Sequence, residues 1–254
     1  RDWSSDVCSS DLLYPEKVNY STINENRHEL FREFLKESGS ILDKPDDIFT
    51  AAKSGIILVV GSPGIGKSVF CEKLLHDWAN NNVFKKGGDG ELYFDIAFLF
   101  RFRRFNTGEE LTLHELLARA ENSVAYDLDN SIVTYIQQNP TKVLFLFDGL
   151  DESSDKMHLV DDNYYEAYSG NNAMKKIPFP VLYRKLVSGE LLEGATVITT
   201  VGFNNFLSYR RLPFNETFEI LEWTPDEVMK CVERCTSHTE QVKKELLKFI
   251  CEST

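Results

Sequence analysis

No apolar run in this 254-residue chain approaches the ~20 residues that a membrane-spanning helix requires, so no helical membrane span is expected. Nor is there a long Lys/Arg run. With 40 acidic residues against 28 basic ones the formal net charge is −12, a poor basis for gripping nucleic acid, whose affinity comes largely from phosphate contacts. The short basic cluster Arg101, Arg103 and Arg104 reads instead as the end of a strand. No C-x-x-C pair occurs. The five cysteines (Cys8, Cys71, Cys231, Cys235, Cys251) and the five histidines are scattered, which argues against a zinc site or a disulfide framework. Ordinary thiols in a reducing cytosol fit that usage better. No internal repeat is visible either.

What the chain does have is concentrated in two segments. Ile56-Ile57-Leu58-Val59-Val60 runs into Gly61-Ser62-Pro63-Gly64-Ile65-Gly66-Lys67-Ser68, which fits G-x-x-x-x-G-K-[ST] between a strand and a helix. A triphosphate held there is wrapped by backbone, so glycine is needed where a side chain would block approach or where φ must be positive. Pro63 has no N–H, so the donors fall to Gly64, Ile65, Gly66, Lys67 and Ser68. The following helix adds the positive end of its dipole. Lys67 is expected on the β- and γ-phosphates and the Ser68 hydroxyl on Mg²⁺.

The second segment is Val143-Leu144-Phe145-Leu146-Phe147-Asp148-Gly149-Leu150-Asp151-Glu152. Five apolar residues ending in an acid describe a buried parallel strand, and the carboxyl edge of such a sheet is where ligands bind. Asp148 is expected to hold Mg²⁺, with Asp151 and Glu152 as candidates to orient or deprotonate an attacking water. Acids after a strand also cap helices, and that plainer role stays open for Asp151 and Glu152.

Asp-Gly-Leu-Asp-Glu on such a strand resembles the NACHT family of signal-transduction ATPases, which includes the NOD-like immune receptors. The resemblance continues through Phe98–Phe105, Leu191–Thr200 and Phe218–Glu227, covering about residues 50 to 254. It implies a cytosolic ATP/ADP switch with Mg²⁺ and slow hydrolysis, which self-associates when active in innate-immune or cell-death signalling. It also implies effector and sensor domains beyond this segment, and no nucleic-acid or membrane partner. One departure stands out. Where the family carries an Arg-Pro pair that reads the γ-phosphate, this chain has Thr199-Thr200-Val201-Gly202-Phe203, and the nearest arginines are Arg210 and Arg211. Sensing is reassigned, the sequence is locally corrupted, or the triphosphate is read weakly. Arg103 is one substitute source of charge.

The fold expected is α/β: a P-loop NTPase with a five-stranded parallel sheet between helices, then the start of an all-helical subdomain. Strands are expected at about 56–60, 93–102, 142–147, 195–201 and 217–221. Helices are expected at about 67–80, 112–120, 130–138 and 179–188. Thr112–Glu115 and Thr224–Glu227 both fit a capping box. Residues 153–177 read as a long loop. Residues 2–12 resemble a translated sequencing adapter, and residues 1–12 are set aside as an artefact. The remainder divides into a helical leader (13–53), the nucleotide-binding domain (54–222) and a truncated helical subdomain (223–254), so the chain is expected to be a fragment. Two rival classes remain. A continuously hydrolysing remodelling ATPase would need pore-loop aromatics, for which Tyr164-Tyr165 is the one imitation. A degenerate scaffold would bind nucleotide without hydrolysing it.

Overall fold

Five stretches become the strands of one sheet: β1 (Ile56–Gly61), β2 (Ile96–Arg101), β3 (Val143–Asp148), β4 (Thr196–Gly202) and β5 (Glu216–Ile220). The computed structural model describes Ile48 and residues 55–86, 91–106, 108–123, 128–170 and 173–221. Spatially the strands run β2-β3-β4-β1-β5, and every neighbouring pair is parallel. The near-continuous Val, Ile, Leu and Phe content of β1, β2 and β3 follows from burial on both faces, whereas the edge strand β5 carries Glu216, Thr217 and Glu219. β3 and β4 are buried at every position, and the edge strand β5 at none.

Helices cover the sheet. In chain order they are α1 (Lys67–Ala79), α2 (Leu113–Ala118), α3 (Asn130–Gln138), α4 (Lys156–Val160), α5 (Asp162–Glu166) and α6 (Phe179–Val187). One face of the sheet is aromatic. Phe98 on β2 stacks on Phe145 of β3 at 5.8 Å, and Phe100 on Phe147 at 5.0 Å, as the register places them side by side. Tyr183 of α6 then meets Phe147 edge-on at 4.9 Å. Side chains alternate along a strand, so Asp148 turns away from that aromatic face. α1 packs across the strands, with Cys71 fully buried near Asp148.

The capping box at Thr112 is present: Glu115 N–H donates to Thr112 Oγ1 at 3.1 Å and Thr112 N–H to Glu115 Oε2 at 2.8 Å. The stretch read as a long loop differs from expectation. It holds α4 and α5, with Leu159 fully buried where α4 packs against α6. Asp161 caps α5 by accepting from the amides of Asn163 and Tyr164 at 3.0 and 3.3 Å. Helices of five residues are too short to show a period, so composition alone favours a loop there. The leader helix over 25–37, the Thr224–Glu227 box and the helices through Cys231 and over 239–252 lie outside the described residues.

Candidate functional site

All five strands end on the same sheet edge, and the connections that leave the neighbouring strands β1 and β4 run in opposite directions. The chain passes from β1 to the β2 side, and later from β4 across to β5 on the far side. In open α/β sheets the crevice at such a reversal is the ligand position. Here the reversal lies beside the strand that ends in Gly61.

Residues 62–66 turn from Gly61 into α1. Gly66 caps the helix with φ 108°, a conformation that glycine adopts without strain. Among the described residues no side chain caps this end, and no acid sits in its first turn. By contrast α2, α3 and α5 are capped by Thr112, Asp129 and Asp161. The first amides of α1 have no acceptor within the helix, the first intrahelical closure being Phe70 N–H to Gly66 O at 2.8 Å. The open positive end is the feature a phosphate needs. Lys67 lies over the turn, its Nζ donating to Gly61 O at 2.9 Å and Ser62 O at 3.0 Å. Ser68 is exposed beside it.

β4 stands between β1 and β3, so two strand spacings, about 10 Å, separate the Gly61 and Asp148 backbones. Asp148 is only 6% exposed. Its Oδ1 accepts from Thr200 Oγ1 at 2.8 Å, and the same hydroxyl accepts from Gly149 N–H at 2.9 Å. Among the described residues no donor reaches Asp148 Oδ2. None of these residues joins a cluster of three or more His, Cys, Asp or Glu side chains able to hold a metal unaided. That donor set suits Mg²⁺, which keeps its waters and takes one or two carboxylates plus phosphate oxygens.

The two later acids diverge. Asp151 reaches across to the end of β4, accepting from Gly202 N–H at 3.0 Å and from Asn205 Nδ2 at 3.3 Å. A Cβ at residue 202 would lie 2.5 Å from Asp151 Oδ2, so the contact requires glycine there. Glu152 is exposed and folds back over Gly149.

The arginines considered as substitutes for the missing Arg-Pro pair are all exposed: Arg103 in the turn after β2, Arg210 and Arg211 after β4. The Arg184 guanidinium, bonded to Asp162, lowers that carboxyl's pKa, and Arg211 adds to the effect from further off. The aromatic pair Tyr164-Tyr165 is engaged locally. Tyr164 stacks on His158 at 4.0 Å, and Tyr165 lies beneath the Arg184 guanidinium at 4.2 Å and donates to Glu190 at 2.5 Å.

One contact at this edge was not legible in the sequence, that of Thr200 with Asp148. The available signal was a pair of hydroxyls, Thr199-Thr200, inside a strand otherwise built to be buried. Each has found a partner, Thr199 with the Tyr183 hydroxyl at 2.9 Å on the aromatic face and Thr200 with Asp148 on the other.

A parallel sheet in this order, with a G-x-x-x-x-G-K-S turn leading into an uncapped helix, defines a P-loop NTPase fold. The particular family follows from comparison with known sequences. The model of the NACHT domain matches residues 55–239, and the chain belongs to that family, in the NOD-like receptor class. It is 28% identical over 148 residues to Protein NLRC5 of Ictalurus punctatus, covering 57% of this chain and 8% of that protein. Against the NACHT, LRR and PYD domains-containing protein 1 homolog of Danio rerio it is 29% identical over 149 residues, 58% of this chain and 10% of that one. Against human Protein NLRC5 it is 31% identical over 169 residues, 65% of this chain and 8% of the relative. The matches thus span a tenth or less of these relatives' length. No helix among the described residues is long and apolar enough to cross a membrane.

Proposed function

We propose that this module binds ATP or ADP with Mg²⁺ and that nucleotide state governs self-association of the longer protein in cytosolic innate-immune or cell-death signalling. The observation that carries the reading is the uncapped, acid-free start of α1 beneath the Lys67 ammonium, on the same sheet edge as buried Asp148.

The division of labour follows from the groups present. Amides of residues 64–68 bind the phosphate oxygens, and Lys67 leaves its two carbonyl acceptors for the β- and γ-phosphates, where charge-assisted bonds are stronger. Ser68 and Asp148 would hold Mg²⁺, which when bound neutralises charge on the β- and γ-oxygens. Of the acids suggested for the water, Glu152 is the one whose carboxyl has no hydrogen bond among the described residues, whereas Asp151 is occupied by Gly202 and Asn205. Hydrolysis is slow and serves the switch, and the family resemblance supports that part alone. The contacts of Tyr164 with His158 and of Tyr165 with Glu190 support the switch reading over a remodelling ATPase, whose pore loops need exposed aromatics.

Val201 stands where the resemblance places an arginine that reads the γ-phosphate. A ligand shifts a conformational equilibrium only by its differential affinity for the two states. ATP and ADP should therefore bind this chain within about tenfold of each other, a gap under ~1.4 kcal/mol, and leave it monomeric. Calorimetry and sedimentation with each nucleotide test this. An ATP-specific oligomer of the chain would overturn it.

A further inference from the structure

We infer that Thr200 is the positioning residue for the metal-binding carboxylate, an inference that rests on the reading of Asp148 as the Mg²⁺ ligand. Thr200 is fully buried on β4, one strand away from Asp148 on β3. Its hydroxyl has a single proton, and the neighbours decide where that proton goes. Gly149 offers an N–H at 2.9 Å, so the hydroxyl oxygen accepts on that side. The proton is then directed at Asp148 Oδ1, 2.8 Å away.

Two consequences follow. Asp148 loses the freedom to rotate about its terminal bond, and Oδ1 is committed to Thr200, which leaves Oδ2 to face a cation or its water. The Gly149 amide is fixed by the same oxygen, so the turn that carries Leu150, Asp151 and Glu152 is tied to the carboxylate it follows. Outer hydrogen bonds of this kind orient metal ligands, and their loss typically lowers metal affinity about 10–100-fold. Position 200 precedes Val201, where the resemblance expects the γ-phosphate arginine. Thr200 acts instead on the metal side of the site, through Asp148.

The test is a Mg²⁺ titration of nucleotide affinity in the full chain, read by calorimetry and independent of hydrolysis. Thr200→Val keeps the shape and removes the hydroxyl, and Thr200→Ser keeps the hydroxyl. The expected result is a half-saturating Mg²⁺ concentration raised about tenfold or more in the valine variant. The serine variant should behave as the parent does, and affinity measured in EDTA should be the same in all three. If the valine variant does not fold, Thr200→Ala replaces it, with the same expectation. A Mg²⁺-dependent parent whose valine and alanine variants titrate identically to it overturns the role of Thr200 alone. A parent whose nucleotide binding ignores Mg²⁺ overturns the assignment of Asp148, and this inference with it.

Discussion

Asp151 and Glu152 are adjacent acids with opposite situations. Asp151 satisfies a backbone amide and an amide side chain at the end of β4, and its removal leaves both without their acceptor. Such a loss costs about 1–3 kcal/mol. Asp151→Ala should therefore lower the urea midpoint measurably, whereas Glu152→Gln should leave the midpoint unchanged and slow ATP turnover. Equal stability of the two variants would contradict this division. The sequence offered both acids for the water and favoured Glu152 by its position alone, because a linear pattern does not say which side chain meets the neighbouring strand. Thr200 was obscure for the same reason, since its partners are 51 and 52 residues away. Lys67, Ser68 and Asp148 were legible because a strand, a fixed spacing and a helix in sequence are enough to put them at one sheet edge.

The strands and longer helices announce themselves. The apolar runs of β1 and β3 and the 13-residue α1 stand within a residue or two of where the pattern sets them. The order of strands does not follow from their order in the chain, and the insertion of β4 between β1 and β3 decides which residues can meet Asp148. α4 and α5 escaped for want of length. Their packing makes a direct prediction. Leu159 is fully buried, and Leu-to-Ala changes at such sites cost about 2–5 kcal/mol. Leu159→Ala should destabilise the domain by that order in chemical denaturation. A loose loop over the site would instead tolerate the change with less than about 0.5 kcal/mol.

Across the whole molecule, burial holds several weak acids neutral. It pushes the Cys71 thiol well above its ordinary 9.0, with the Asp148 and Glu72 carboxylates adding to the effect. Burial likewise raises the Tyr183 phenol far above its ordinary 10.0, and pushes Tyr209 up to about 12. In each case the unfolded chain releases the proton at lower pH than the folded one. Their contribution to stability is complete below pH 9 and is lost as pH rises towards 12. The urea midpoint should decline over that window, with the tyrosinate signal of Tyr183 arriving only on unfolding. A midpoint that holds steady from pH 9 to 12 would contradict the burial of these groups.

The central claim, that this sheet edge holds nucleotide phosphates, is tested most directly by calorimetry of Mg-ATP binding to the parent chain and to Lys67→Ala. Among the described residues Lys67 Nζ bonds to two backbone carbonyls, those of Gly61 and Ser62, so its loss should leave the fold and melting temperature close to the parent's. Charge-assisted hydrogen bonds contribute about 1.5–3 kcal/mol, so affinity in the folded variant should fall at least about tenfold. Equal ATP affinity in a folded Lys67→Ala chain would contradict the account.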